Sequence, residues 1–345
     1  MGNYEWSLSM SDNGKICNLS IFALALAILP VAPPAFAQSS PWLPSKPIRM
    51  ILGFPPGALP DMVARLIAPK LTESLGQPVV VDNRAGATGI IAMDFVSKSA
   101  PDGHTLGMLI ISHAVNAALE GSALDVPKQP FSLIRDFTPI TQLTSNSYVL
   151  VVNSKLPVRT VADLIALAKA KPGALTYGSS GTGGVVHLAG EWLAAASKVK
   201  MTHVPYKSSA LAMNEVAGGH IDMLFTSVAL MNAVVAAGKG RGIAVTATTR
   251  MPSAPDLPTF IEAGLPGFEF DGWYGIAGPP GMPAATVDKL SSEMARALKL
   301  PDVSDKLAVD GAVGIGSTPA QFAALLHSED RKWRRVIQEI GFAGK

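Results

Sequence analysis

The segment Phe54-Pro55-Pro56-Gly57-Ala58-Leu59-Pro60-Asp61 joins a short apolar stretch to a strongly periodic one. Residues 48–53 before it, Ile-Arg-Met-Ile-Leu-Gly, have the length and composition of a β-strand. After it, apolar residues recur at helical spacing, at Val63, Leu66, Ile67, Leu71 and Leu75. The sequence therefore predicts a strand that passes through a Pro- and Gly-rich loop directly into an α-helix.

Such a loop suits an anionic ligand because the first N–H groups of a helix have no intrahelical partners. Together with the positive end of the helix dipole, these groups favour a carboxylate or a phosphate. The alternative interpretation is that Pro56 and Gly57 only turn the chain, and that Pro60 begins the helix as a suitable first-turn residue. Asp61 would repel an anion at this position unless water or an ammonium group lay between them.

The composition indicates a globular chain with a large core. Of the 345 residues, 48% are hydrophobic and 16% are charged, which predicts a fold of two lobes. The formal net charge of +2, the low aromatic content and the lack of a basic block give no support to nucleic-acid binding.

Residues 1–37 have the features of a cleavable secretory signal. An apolar run from Ile16 to Leu29 follows Lys15, and Ala35-Phe36-Ala37 predicts cleavage after Ala37. The run is short for a bilayer span. Met10 is an alternative start, and a retained N-terminal anchor is the alternative fate of the segment.

Cysteine and histidine usage limits the chemistry of the mature chain. Cys17 is the single cysteine and precedes the apolar run, which argues against a lipoprotein anchor. Without residues 1–37 there is no thiol for a disulfide, a nucleophile or a metal. The six histidines are scattered without metal-ligand spacing, so we expect no metal and no cofactor.

Two further loops of small residues follow predicted strands. Residues 82–89 contain Gly86 and Ala87 and come after a strand at 79–81, and Ser112 lies at the end of a strand predicted for 104–111. In a parallel sheet, all three strand ends meet at one edge.

The same strand, loop and helix plan is repeated later in the chain. A strand at 175–177 precedes the loop Gly178-Ser179-Ser180-Gly181-Thr182-Gly183-Gly184, and a helix is predicted for 185–196. Two such helix N-termini, one in each lobe, would face each other across a cleft. His187 and His203 flank the second loop, either as ligand donors or as partners of the backbone.

Known catalytic and nucleotide-binding patterns are incomplete in this loop. Thr182 stands where Gly-x-Ser-x-Gly needs its last glycine, so Ser180 lacks a nucleophile elbow. No Lys-Ser or Lys-Thr follows Gly184, and Val186 occupies the third glycine position of a dinucleotide fingerprint. A secreted hydrolase that uses Ser180 with His187 or His203 is the alternative hypothesis.

Short motifs along the mature chain resemble those of a known family. In chain order, they are Pro44-Ser45-Lys46-Pro47-Ile48-Arg49, Phe54-Pro55-Pro56-Gly57 with Asp61, Asn83-Arg84-x-Gly86-Ala87, Pro101-Asp102-Gly103-His104-Thr105-Leu106, Ser179-Ser180-Gly181, His187-Leu188-Ala189-Gly190-Glu191, His203-Val204-Pro205-Tyr206-Lys207 and Gly264-Leu265-Pro266-Gly267. Each motif is weak, but together they closely resemble the Bug family, the periplasmic solute-binding receptors of tripartite tricarboxylate transporters.

The resemblance implies an α/β periplasmic-binding-protein fold of type II-like character, with two lobes joined by two crossing strands. With crossings near 148–152 and 268–276, we expect residues 38–143 and 268–345 to form one lobe and 144–267 the other. It also implies a periplasmic monomer that binds a small carboxylate and passes it to an integral-membrane permease or acts as a sensor.

In this family the ligand is held largely by backbone amides and waters. The residues that the resemblance assigns to the ligand are Phe54, Pro55, Gly57, Asp61, Gly86, Ala87, Ser179, Ser180, Gly181 and Gly183. Ala58, Ser112 and His187 complete the predicted site, and no catalytic residue is expected.

The chain departs from the family pattern at several of these positions. The usual Gly-Gly-x-Thr-Asp is Gly57-Ala58-Leu59-Pro60-Asp61 here, Ser208 replaces a glycine, and Thr226 replaces an aspartate. These changes leave the expected fold intact and indicate a ligand less polar than citrate or aspartate.

Overall fold

The computed structural model describes Gly2 and residues 42–122, 126, 128–309 and 311–341. The predicted signal segment, 1–37, lies outside the described residues except for Gly2. Among the helices that the structure describes, none is both long and apolar enough to cross a membrane.

The described part of the chain alternates strands and helices. The strands are β1 (Ile48–Leu52), β2 (Val79–Asn83), β3 (Thr105–Ile110), β4 (Thr138–Ser147), β5 (Val149–Asn153), β6 (Thr176–Ser179), β7 (Thr202–Pro205), β8 (Met223–Thr226), β9 (Gly240–Val245), β10 (Asp271–Gly278) and β11 (Ala312–Gly314). The helices are α1 (Leu59–Leu75), α2 (Ile90–Ser97), α3 (Ile111–Ala118), α4 (Val161–Ala170), α5 (Val185–Ser197), α6 (Ser209–Gly218), α7 (Val228–Ala236), α8 (Ala284–Leu298), α9 (Pro301–Val309) and α10 (Pro319–Glu339). A single 3-10 turn, Ala87–Gly89, precedes α2.

The strands form two sheets, one in each lobe. Lobe 1 has the order β11-β4-β10-β3-β1-β2, and lobe 2 has the order β7-β6-β8-β5-β9. β1 pairs in parallel with β2 and β3, and β6 pairs in parallel with β7 and β8. The carboxyl ends of these strands therefore meet at one edge of each sheet, which confirms the predicted two-lobed α/β architecture.

Burial explains why β1 is an almost uninterrupted apolar run. Met50 and Leu52 pack in the core beneath α1, whereas Ile51 packs on the opposite face with Met93 and Val96 of α2. A strand with both faces covered has no polar face to alternate with its apolar one.

The chain passes between the lobes at two adjacent points. The first passage is at Tyr148, between β4 and β5, and the second lies between β9 and β10. Thr246 N–H donates to the Tyr148 carbonyl (2.8 Å), and Phe270 N–H donates to the Thr246 carbonyl (3.0 Å). The two crossing segments are thus hydrogen-bonded to each other.

Aromatic rings pack the two lobes against each other beside these crossings. The Trp192 ring of α5 lies 4.7 Å from Phe268 and 6.2 Å from Trp333 of α10, and Trp333 lies 6.0 Å from Phe270. All four side chains are buried in one hydrophobic cluster that draws residues from both sheets.

Several elements differ from the sequence prediction. The predicted strand at 104–111 ends at Ile110, and α3 follows it at once; no helix was predicted there. Residues 138–147 form β4, which pairs with β10 in the lobe 1 sheet. The boundary expected between residues 143 and 144 therefore falls inside β4. The helix α9 and the strand β11 were also not predicted.

Two helical glycines provide a test of the packing between α5 and β6. At Gly190 of α5, a Cβ would lie 2.2 Å from the Tyr177 ring. We expect Gly190→Ala to destabilise the fold by roughly 1–3 kcal/mol through overpacking, despite the better helix propensity of alanine. The measurement is urea unfolding followed by circular dichroism.

The matched control is Gly218→Ala at the end of α6, where the Cβ would meet only the exposed His220 ring, at 3.1 Å. We expect this variant to stay within about 1 kcal/mol of the parent. Equal losses in both variants would contradict the proposed contact between α5 and β6.

Candidate functional site

Two loops of lobe 1 touch through their backbones. A Cβ built on Gly53 would lie 2.2 Å from the Cα of Gly89, a distance that no side chain permits. A Cβ on Gly89 would lie 3.3 Å from the Phe54 ring. The loop after β1 and the turn before α2 are therefore packed main chain against main chain at the sheet edge.

The side chain of Asp61 shapes the first of these loops. Its carboxylate is 3% exposed and accepts hydrogen bonds from Gly57 N–H (2.9 Å), Arg65 Nε (2.9 Å) and Asn83 Nδ2 (2.9 Å). Asn83 Nδ2 also donates to the Phe54 carbonyl (3.0 Å). Burial would raise the pKa of Asp61, but the bonds from Arg65, Gly57 and Asn83 outweigh it and lower that pKa.

These bonds change the role we assign to the N-terminus of α1. Gly57 N–H is bonded to Asp61, Ala58 N–H donates to the Pro55 carbonyl (3.3 Å), and Pro60 has no N–H. The helix thus carries its own carboxylate at its positive end. Asp61 is committed to the loop, while Pro55 and Gly57 are exposed and Phe54 and Ala58 are half-buried.

The turn before α2 has a left-handed backbone throughout. Gly86, Ala87, Thr88 and Gly89 have φ values of 148°, 46°, 55° and 90°. Left-handed conformations cost energy at residues with a Cβ, and such strain concentrates at ligand-binding positions. Ala87 is exposed at this turn, on the same sheet edge as Phe54.

Helix α3 adds three polar side chains to the same edge. The Ser112 hydroxyl, the His113 ring and the Asn116 amide are all buried. His113 Nδ1 accepts a hydrogen bond from Ile110 N–H (3.1 Å), and its Nε2 faces the Gly89 backbone. Burial lowers the pKa of His113 to about 4, so the ring is neutral at pH 7.

In lobe 2, two histidines shape the loop between β6 and α5. Gly183 N–H donates to His187 Nδ1 (3.1 Å), and His203 Nε2 lies 2.6 Å from the Ser179 hydroxyl. Gly181 N–H donates to the same hydroxyl (3.1 Å). The His187 and His203 rings are stacked with their centroids 3.9 Å apart.

Both rings are neutral at pH 7. Burial and the neighbouring His203 lower the pKa of His187 to about 3, and burial lowers the pKa of His203 to about 4. The Tyr177 hydroxyl donates to Glu191, and burial together with that carboxylate raises the pKa of Tyr177. A neutral His187 ring is required here because its Nδ1 must accept the bond from Gly183 N–H.

The two lobes meet where α3 faces the N-terminus of α5. Val185 N–H donates to the Ser112 hydroxyl at 3.4 Å, a long bond. The first intrahelical bond of α5 runs from Leu188 N–H to the Gly184 carbonyl, and Gly184 provides no side-chain cap. The N–H group of Val186 precedes that bond and the first turn carries no acidic residue, so this helix end is suited to an anion.

The two serines differ sharply in exposure. Ser180 is exposed, and within the described residues no histidine bonds to it. The serine that contacts a histidine is Ser179, whose side chain is fully buried. A buried hydroxyl bonded to Gly181 cannot reach a substrate, so this pair shapes the loop.

A separate surface cavity of about 530 Å³ lies at the far end of α3, between residues 128–136 and α10. Ala117 and Glu120 line it, but none of the predicted ligand residues do. The converging loops, and not this cavity, form the candidate site.

Asn116 was not predicted as a site residue, and His203 was predicted only to flank the second loop. Asn116 lies four residues after Ser112, so a predicted helix at 111–118 would have placed both on one face. His203 comes close to the loop because Tyr177 of β6 pairs with it in β7, a contact that only the sheet register reveals.

Two α/β lobes, adjacent crossing segments and loops that converge between the lobes define a solute-binding protein of the periplasmic type. Residues 63–342 match the family described as "Tripartite tricarboxylate transporter family receptor", and the chain belongs to that family. This match confirms the resemblance seen in the sequence.

Individual relatives cover nearly the whole chain. A protein from the tcbD-tcbE intergenic region of Pseudomonas sp. (strain P51) is 39% identical over 304 residues, which are 88% of this chain and 89% of that protein. A solved R. palustris structure with adipate is 32% identical with a TM-score of 0.79, covering 87% of this chain and 99% of that one. MatC from Rhodopseudomonas palustris with bound malate is 30% identical with a TM-score of 0.77, covering 86% and 100%.

The loop role of Asp61 predicts a pH-dependent loss of stability in Asp61→Asn. At pH 7 we expect destabilisation by roughly 1.5–3 kcal/mol, the usual contribution of hydrogen bonds to a charged group. The pKa of Asp61 is lowered in the folded state, so its contribution is complete above the unfolded pKa and is lost as the pH falls through the folded pKa.

Urea unfolding from pH 7 down to pH 3 measures this difference. The gap between the parent and Asp61→Asn should narrow below about pH 4. The control is Asp256→Asn at an exposed position, which should show no gap. A gap that stays constant across the range would contradict the role of the Asp61 charge.

Proposed function

We propose that this chain is a non-enzymatic periplasmic receptor that binds a small organic carboxylate between its two lobes and delivers it to a membrane permease of the tripartite tricarboxylate type or to a sensor. The observation that carries the proposal is the N-terminal turn of α5, which has no acidic residue and faces α3 of the other lobe. Family membership and the adipate- and malate-bound neighbours support the choice of a carboxylate.

The charge arrangement favours binding through the main chain. Arg65 is paired with Asp61, and Arg84 is paired with Asp82 and stacked on the Phe95 ring (3.9 Å). Backbone N–H groups and the helix dipole therefore supply the positive potential for the anion. The neutral His187 and His203 rings hold the loop that presents these groups.

For the lobes we propose the predicted ranges, 38–143 with 268–345 and 144–267, with one change. Residues 144–147 are assigned to the first lobe, a change that their pairing with β10 supports. We also propose export by cleavage after Ala37, a monomeric state and no role in nucleic-acid binding. Ligand contact is assigned to the loops around Phe54, Ala87 and Gly183 and to Ser112 of α3.

The rival hydrolase hypothesis has a direct assay. With Ser179 buried and Ser180 unpaired among the described residues, we expect no turnover of an activated ester such as p-nitrophenyl acetate above the buffer rate. Turnover that disappears in Ser180→Ala or Ser179→Ala would overturn the non-enzymatic assignment.

The receptor function predicts stabilisation by an acid. Residues 38–345 are screened by thermal shift against mono-, di- and tricarboxylates, amino acids and aromatic acids. A ligand at about one hundred times its Kd adds roughly 2.7 kcal/mol, which raises the Tm by several degrees.

The control is the neutral amide of each acid that shifts the Tm, which should bind at least tenfold more weakly because it lacks the charge that α5 favours. Isothermal titration then gives the Kd of each pair. A flat response across the whole panel would falsify the proposed function.

A further inference from the structure

The Asn116 amide is buried without a hydrogen-bond partner. The residue is 3% exposed, and neither its Oδ1 nor its Nδ2 bonds to another group of the described chain. Buried amides in folded proteins nearly always have partners, because leaving a donor or an acceptor unpaired destabilises the fold. An amide with both atoms unpaired is therefore available to bond a group that the chain itself does not supply.

The position of this amide points to the same site as α5. Asn116 Oδ1 lies 3.0 Å from the point where a Cβ of Gly183 would stand. Gly183 has a φ of 79°, which favours glycine, and a Cβ there would also meet the Val126 side chain, at 2.7 Å. Ser112, one turn earlier on α3, contacts Val185 N–H. The unpaired amide of α3 and the N-terminal end of α5 thus lie close together, each in a different lobe.

The chemistry of an amide defines its complement. Oδ1 accepts a hydrogen bond and Nδ2 donates one, side by side. A carboxylate with a hydroxyl on the adjacent carbon presents the matching pair, since the hydroxyl donates to Oδ1 and a carboxylate oxygen accepts from Nδ2.

An ammonium group would also donate to Oδ1, but the carboxylates of the loops do not favour it. Asp61 is bonded to Gly57, Arg65 and Asn83, and Glu191 accepts from the Tyr177 hydroxyl. Asp61 is already paired with Arg65, and neither carboxylate bonds to Asn116, so the hydroxyl is the better complement.

We propose that Asn116 is a specificity-determining residue that selects 2-hydroxy carboxylates over the same acids without the hydroxyl. This inference rests on the proposed receptor function and narrows its substrate class. A site built to bond a hydroxyl rejects the analogue that lacks it, because the polar groups of the site are then buried unpaired.

The first test compares acids that differ only at carbon 2. Malate, succinate and aspartate share one C4 skeleton, and 2-hydroxyadipate, adipate and 2-aminoadipate share one C6 skeleton. Any other acid that shifts the Tm is tested with and without its 2-hydroxyl. Isothermal titration on the parent protein should give the hydroxy acid a Kd at least tenfold lower than either partner of its series.

The outcomes separate the two claims. In the first outcome, acids bind, but the Kd of the unsubstituted acid or of the 2-amino acid lies within threefold of that of the hydroxy acid. The proposed selectivity of Asn116 is then wrong, and the receptor function stands. If no acid binds, both are wrong.

The second test uses Asn116→Leu, which fills a similar volume without polar atoms. We expect the preference for the hydroxyl to fall to within threefold, while the Tm of the unliganded protein stays equal or rises because two unpaired polar atoms are removed. A residue with only a structural role would instead lower the Tm and leave the preference unchanged.

Asn116→Ala provides the same comparison of ligands if leucine is not accommodated. The matched control is Asn214→Ala on the exposed side of α6, which should retain the parent preference. Full hydroxyl preference in both Asn116 variants would overturn the proposal.

Discussion

The aromatic contact between α5 and α10 is the constraint on which the site depends. Trp192 belongs to lobe 2 and Trp333 to the last helix, and both pack on the segment that returns the chain to lobe 1. Because this cluster joins the two cores, it fixes where the N-terminus of α5 lies relative to α3. The hydrogen bond from Val185 N–H to the Ser112 hydroxyl forms at that N-terminus.

Both lobes use buried polar side chains to shape a loop, but with different electrostatic results. Lobe 1 places the Asp61 carboxylate at the start of α1, where it occupies the positive end of the helix. Lobe 2 places neutral His187 at the start of α5, and its ring adds no charge. The two helix ends looked equivalent in sequence, yet only that of α5 lacks a carboxylate of its own in the first turn.

The parts of the fold that followed from sequence are those with strong local patterns. The apolar run of β1, the periodic face of α1 and the glycine loop before α5 were all predicted close to their observed bounds. β4 was missed because its residues, Thr-Pro-Ile-Thr-Gln-Leu-Thr-Ser-Asn-Ser, are mostly polar, and its strand conformation comes from pairing with β10 and β11. α3 was missed because Ile110 and Ile111 carry the chain from strand to helix without a polar break. The roles of Asn116 and of the stacked histidines could not be predicted from sequence, because tertiary contacts determine where these side chains lie.

The contact between Gly53 and Gly89 has a consequence for how such receptors diversify. A side chain at either position would clash with its neighbours, so this part of the site is formed by main chain. A substitution there would distort the site and could not add a ligand contact. New ligand preferences must then arise on neighbouring helices whose side chains reach the same space, with the backbone floor inherited unchanged. Substitutions at a few positions of α3 would thus change the choice of acid while the contact between Gly53 and Gly89 stays intact.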